Sequence, residues 1–278
     1  MIILVTGRPG TGKTTVLERF LPSAPEGSVS VLSKELRDTQ GNRIGFEGRT
    51  SAGKTGIFAH KTDVISEMRV GTFLIDLPVV DELFTRTMKE VLKQAPPLFV
   101  LDEIGPMQLC SSRFKEVLDK LFASPLSFLA TIKKDDVSLE RYKQHDDVIL
   151  FEVTDENRES LPKILKLLVT QAREIESLNP ARKKRCFEFL SEYARTNQRV
   201  QLQKCAQHAV VYVNEGRIEK QNEGQWLVHG DHQDRIVHLR SIQVPFTCNC
   251  ELFLGRHPYA GMPGPCAHVQ AVELFEIK

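Results

Sequence analysis

The residues best suited to chemistry come first: Gly7-Arg8-Pro9-Gly10-Thr11-Gly12-Lys13-Thr14-Thr15. Glycines at 7, 10 and 12 let the backbone curl tightly and turn its N–H groups toward a polyanion. Lys13 can reach the outer phosphates of a nucleotide, and the Thr14 hydroxyl can ligate Mg2+. Residues 7–14 fit the phosphate-loop pattern G-x-x-x-x-G-K-[ST] without a mismatch. A second group follows the apolar run Leu98-Phe-Val-Leu101, where Asp102 and Glu103 stand side by side. An acid delivered by a buried strand beside a phosphate loop can hold Mg2+, directly or through water. Glu103, one residue on, points away from Asp102 and can polarise an attacking water. Lys13 and Glu103 are therefore the expected catalytic residues, with Thr14 and Asp102 on the magnesium.

A third group is Cys248-Asn-Cys250 and, fifteen residues later, Cys266-Ala-His268. Four soft or borderline ligands suit a closed tetrahedral Zn2+ site, and a site with no open position is structural rather than catalytic. His257 is an alternative fourth ligand. Cys110, Cys186 and Cys205 are scattered and read as small core residues.

These groups need elements to position them. Ile2–Val5 should be a strand entering the loop, and Val16, Leu17 and Phe20 have the spacing of a helix leaving it. That context separates it from Gly48-Arg-Thr-Ser-Ala-Gly53-Lys54-Thr55, which also fits the pattern but lies between two alternating stretches, Arg43–Glu47 and Gly56–His60. The second match is expected to be a hairpin loop. Val29–Ser33, Thr72–Asp76, Leu98–Leu101, Ser127–Ile132 and Val148–Val153 read as further strands. Residues 79–94 read as a helix, as does a stretch capped by Ser111 or Ser112 and another over 161–177. Strands alternating with helices, interrupted by one hairpin, predict a three-layer α/β fold with a mainly parallel sheet. Beyond a helix opened by Pro180-Ala-Arg-Lys-Lys-Arg185, short strands are expected at 208–213, 225–229 and 236–239, then a small zinc-stabilised α+β module.

The composition of the 278 residues is that of an ordinary globular protein, 41% hydrophobic and 26% charged. A net charge of +1 announces neither a nucleic-acid nor a membrane partner by bulk electrostatics. No run approaches the ~18 apolar residues of a membrane span, and no secretory signal is legible, so a cytoplasmic location is expected.

Gly7–Thr15 and Val100-Leu-Asp-Glu-Ile-Gly-Pro-Met-Gln-Leu109 closely resemble the THEP1-type nucleoside-triphosphatases. Glu35-Leu-Arg37, Arg43-Ile-Gly-Phe46, Phe58-Ala59, Val70-Gly71 and Thr154-Asp-Glu-Asn157-Arg158 extend the resemblance over residues 1–170. It implies an adenylate-kinase-like P-loop fold, hydrolysis of ATP, GTP and other nucleoside triphosphates, and Asn157 and Arg158 near the nucleotide. Val29–Ser33 replaces the family's Gly-Phe-x-Thr stretch, and Gln108 stands where an acid is usual. Residues 205–278, with Trp226-Leu-Val and Pro265-Cys-Ala-His268, resemble the SWIM zinc finger, which implies DNA or protein binding. The expected organisation is a P-loop NTPase domain over 1–176, a helical linker over 177–198 and a SWIM-like zinc module over 199–278. The alternatives are a small-molecule or nucleotide kinase and a non-catalytic nucleotide switch. No second motor lobe of a helicase fits in the remaining chain.

Overall fold

The computed structural model describes residues 1–145, 148–155, 157–170, 208–209, 211–213, 215–239, 246–248 and 266–276. The chain divides into two compact units, Met1–Pro162 and Lys163–Lys278. The expected boundary at 176, the linker 177–198 and the basic run 183–185 lie outside the described residues.

In the first unit the strands are β1 (Ile2–Thr6), β2 (Val29–Arg37), β3 (Arg43–Thr50), β4 (Thr55–His60), β5 (Arg69–Val70), β6 (Phe73–Ile75), β7 (Phe99–Ile104), β8 (Phe128–Ile132) and β9 (Val148–Glu152). They form one nine-stranded sheet in the order β5-β6-β4-β3-β2-β7-β8-β1-β9. β2, β7, β8, β1 and β9 are mutually parallel. From β2 outward the ladder is antiparallel through β3, β4, β6 and β5. The antiparallel part is thus larger than the single hairpin expected.

Thr72–Asp76 was expected to be a buried strand. Its residues Phe73 and Leu74 are only half-buried and pair at the antiparallel end. Its terminal carboxylate, Asp76, accepts from Val79 N–H at 3.1 Å and caps the next helix. That helix runs as α2 (Leu77–Val80), a π turn (Asp81–Thr85) and α3 (Arg86–Gln94). The second phosphate-loop match is the β3–β4 hairpin: Gly48 is mid-strand and pairs with Gly56. A Cβ at Gly48 would lie 2.8 Å from Leu83 Cδ1, so this glycine makes room for the π turn.

The strand pattern explains the layering. Ile2, Leu4, Phe99, Leu101, Phe128 and Ala130 pack in one cluster with Phe84, Met88, Phe114 and Leu118. The last two belong to α4 (Ser112–Phe122), whose cap is Ser111, accepting from Phe114 N–H at 3.1 Å. Their strand neighbours Ile3, Val5, Val100 and Leu129 point the other way and are equally buried. α1 (Lys13–Phe20) lies against β7 and buries Val16, Leu17 and Phe20. Each such apolar side chain contributes about 1.5–3 kcal/mol. The unit also holds α5 (Glu140–Lys143) and the start of α6 (Leu161–Thr170).

β2 is paired differently along its length. Only Val29–Val31 pair with β7, whereas Val31–Arg37 pair with β3. The strand is longer than the Val29–Ser33 expected, and its second half is paired on one side only, with β3, which in turn pairs with β4.

In the second unit β10 (Ile218–Asn222), β11 (Gln225–Val228), β12 (Arg235–Leu239) and β13 (Phe246–Cys248) form an antiparallel sheet. α7 (Ala267–Glu276) packs on it. The strand expected over 208–213 is not one: His208, Ala209 and Val211–Val213 are helical. The valine-rich run favours a strand, but Ala209 and Tyr212, three residues apart, are the buried pair. A helix puts that pair on one face.

Candidate functional site

β1 delivers the glycine loop, and its neighbours deliver the acids. A Cβ at Gly7 would meet both Thr11 Oγ1 and the Val153 carbonyl at 2.9 Å, so only glycine fits this close approach. Gly12 caps α1 in the left-handed region, at φ 94°. Thr11 ties the loop by donating its hydroxyl to Arg8 O at 2.9 Å. Arg8, Pro9 and Gly10 are exposed at the tip, and Thr15 is exposed on the first turn of α1. Lys13 Nζ donates to Gly7 O at 3.2 Å and Arg8 O at 3.3 Å, which lays its ammonium along the loop.

The structure brings Thr14 and Asp102 together. Thr14 Oγ1 donates to Asp102 Oδ2 at 2.9 Å, joining the first turn of α1 to the end of β7. Thr131 on β8 donates to the other carboxylate oxygen, and Ser33 Oγ on β2 donates to the Asp102 carbonyl at 2.5 Å. Asp102 is only 2% exposed. Burial pushes its pKa up, and the hydroxyls of Thr131 and Thr14 oppose that rise.

Neither Thr131 nor Ser33 was anticipated. The available signal was a hydroxyl residue inside an otherwise apolar strand, as in Phe128-Leu-Ala-Thr131-Ile132.

Glu103 follows through a cis peptide. Its pKa is also raised, first by burial and then by the Asp102 charge; Lys13, Lys133 and Arg43 pull it back down. The charge of Asp102 therefore acts on Glu103 as well. Arg43 is itself held by Glu35 and lies 5.5 Å from the Phe46 ring centre. Past β9, Asn157 accepts from Thr154 N–H at 2.9 Å and donates to Glu152 O at 2.7 Å. This bracket shapes the loop that carries Arg158, whose Cδ is 3.9 Å from where a Gly12 Cβ would stand.

In the second unit Cys248, Cys266 and His268 bring their ligand atoms within 4.8 Å of one another. Cys248 and Cys266 are buried. His268 Nδ1 is buried and has no hydrogen-bond partner among the described residues, and its ring stacks on Tyr212 at 5.7 Å. Cys250 and His257 lie outside the described residues.

A glycine loop between a buried parallel strand and a helix, tied through Thr14 to an acid on a neighbouring strand, defines a P-loop nucleotide-binding fold of the α/β class. Residues 2–166 match the family NTPase_1, described as NTPase. The nucleoside-triphosphatase THEP1 of Thermotoga petrophila is 41% identical over 164 residues, covering 59% of this chain and 89% of that protein. The THEP1 of Aquifex aeolicus is 31% identical over 177 residues, covering 60% and 99%. The crystal structure of THEP1 from Aquifex aeolicus superposes with a TM-score of 0.55 at 27% identity, covering 59% of this chain and 96% of that one. The chain belongs to this THEP1-type NTPase family, hydrolases that act on nucleoside triphosphates. The matches stop short of the cysteine and histidine cluster.

Proposed function

We propose that residues 7–15 bind a nucleoside triphosphate, ATP or GTP, and that Glu103 directs its Mg2+-dependent hydrolysis to the diphosphate and inorganic phosphate. The observation that carries this is the 2.9 Å link from Thr14 to Asp102. The buried Asp102 carboxyl is held by hydroxyls, and among the described residues no ion pair is formed with it. A divalent cation fits that donor set, with Thr14 and Asp102 holding it. When bound, Mg2+ neutralises charge on the phosphates.

Backbone N–H groups of the loop and the start of α1 orient the phosphates. Lys13 exchanges its carbonyl contacts for phosphate oxygens. Glu103 accepts a proton from water as the water oxygen bonds to the γ-phosphorus and the bond to the β-phosphate bridging oxygen breaks. The raised pKa of Glu103 suits a base, because a more basic carboxylate takes that proton more readily.

The same reading makes residues 199–278 a SWIM-type module that docks DNA or a protein. Cys248, Cys250, Cys266 and His268 would hold a structural Zn2+. The buried Nδ1 of His268, unpaired among the described residues and close to Cys248 and Cys266, supports the metal.

The test is phosphate release from a nucleotide panel, with Mg2+ or chelator, and with or without DNA and RNA. Glu103→Gln should lower kcat by about 10²–10⁴-fold while nucleotide still binds. Turnover that needs a phosphoryl acceptor would instead make the protein a kinase. DNA affinity that is indifferent to salt would count against nucleic-acid docking.

A further inference from the structure

Glu103 lies along a neighbour that sequence reasoning passed over. The three atoms nearest to a Cβ built on Gly105 all belong to Glu103: Oε1 at 3.0 Å, Cδ at 3.1 Å and Cγ at 3.2 Å. Ordinary carbon contacts are about 3.5–4.0 Å, so the acid occupies the space a side chain at 105 would need. The backbone does not itself demand glycine here, since Gly105 is not among the glycines with positive φ.

The surrounding main chain is pinned. Leu109 N–H donates to Gly105 O at 3.0 Å, and Lys133 N–H donates to Ile104 O at 3.3 Å. With the peptides on this side held, an added methyl would displace the Glu103 side chain rather than the backbone. The groups facing that side chain are Asp102, Lys13, Lys133 and Arg43. A shifted carboxylate would change its distance to each of them and to the attacking water.

We propose that Gly105 is a positioning residue: its missing side chain sets where the Glu103 carboxylate stands over the phosphate site. The proposal rests on reading Glu103 as the base. Such a base is sensitive to small displacements, because a misplacement of about 1 Å can cost on the order of 100-fold in rate.

The test is steady-state hydrolysis of Mg-ATP by the full chain in four forms: wild type, Gly105→Ala, Glu103→Gln and the double variant. Gly105→Ala should lower kcat by about tenfold or more with KM nearly unchanged. In the Glu103→Gln background the same methyl should cost nothing further. An undiminished kcat in Gly105→Ala, or an equal loss in both backgrounds, overturns the proposal. A fully active Glu103→Gln removes the base, and the proposal with it. A slow Glu103→Gln beside an undiminished Gly105→Ala removes the proposal alone. If Gly105→Ala fails to fold, the Glu103→Asp background decides. The shorter acid frees the space, so the methyl should be tolerated there, and persisting instability overturns the assignment.

Discussion

Asp102 illustrates what one residue type demands of its surroundings. A carboxyl buried this deeply is costly unless it is hydrogen-bonded, and Thr14, Thr131 and Ser33 each bond to the residue. Its place in an apolar strand beside a phosphate loop made it legible in the sequence. The hydroxyls on β2 and β8 were not, because which strands flank β7 is a matter of topology. Gly105 was invisible for a related reason: the path of the Glu103 side chain leaves no trace in residue spacing.

Tyr142 shows the same scale away from the site. Its phenol donates to Asp119 Oδ1 at 2.6 Å and accepts from Arg141. Burial, then the bond and charge of Asp119, push its pKa from 10.0 up to about 12. A raised folded value means that its stabilisation is complete below pH 10 and is lost as pH rises through about 12. Denaturant melts from pH 8 to 12 should show this alkaline fall. Tyr142→Phe should cost about 1 kcal/mol at pH 8 and flatten the fall. An unchanged slope in the variant would refute the linkage.

Elements explain why two stretches with the same letters have different roles. Gly7–Thr14 lies between a buried strand and a helix, whereas Gly48–Thr55 joins two antiparallel strands. Gly48 meets Leu83 and Phe84 of the π turn, and Lys54 forms an exposed ion pair with Glu82. Gly48→Ala should therefore destabilise the fold by about 1–3 kcal/mol through overpacking. Lys54→Ala should leave hydrolysis intact, whereas Lys13→Ala should abolish it; phosphate-release assays on the two lysine variants would expose any error. Element types were readable from periodicity over 79–94 and at the Ser111 cap. Periodicity failed at 208–213, where β-branched residues outweighed the spacing of Ala209 and Tyr212.

At the scale of the molecule, the two units call for different tests. The parallel core was legible because continuous apolar runs such as Leu98–Leu101 mark strands covered on both faces. The antiparallel extension was legible only in part: the β3–β4 hairpin and β6 were read, but β5 is too short to carry a pattern, and the pairing of β6 with β4 is a matter of topology. In the second unit a proposed zinc replaces part of a core that a small sheet cannot supply. Cys266→Ala, or prolonged chelation, should strip that metal and unfold residues 199–278 while phosphate release continues. Metal analysis, circular dichroism and the hydrolysis assay together decide it. Zinc retained in Cys266→Ala would remove the ligand assignment. No helix among the described residues is long and apolar enough to cross a membrane.

The split pairing of β2 has a consequence for motion. Val29–Val31 lie between β7 and β3, in the middle of the sheet, but Lys34–Arg37 are supported by β3 alone. Backbone held by a neighbour on one side only opens more readily, so opening should become easier along this one strand. Amide hydrogen exchange should be slow at Val31 and quicken toward Arg37. The changeover falls at Ser33, whose hydroxyl holds the Asp102 carbonyl. The protected half of the strand thus ends beside the acid of the phosphate site, and the exchanging half begins there.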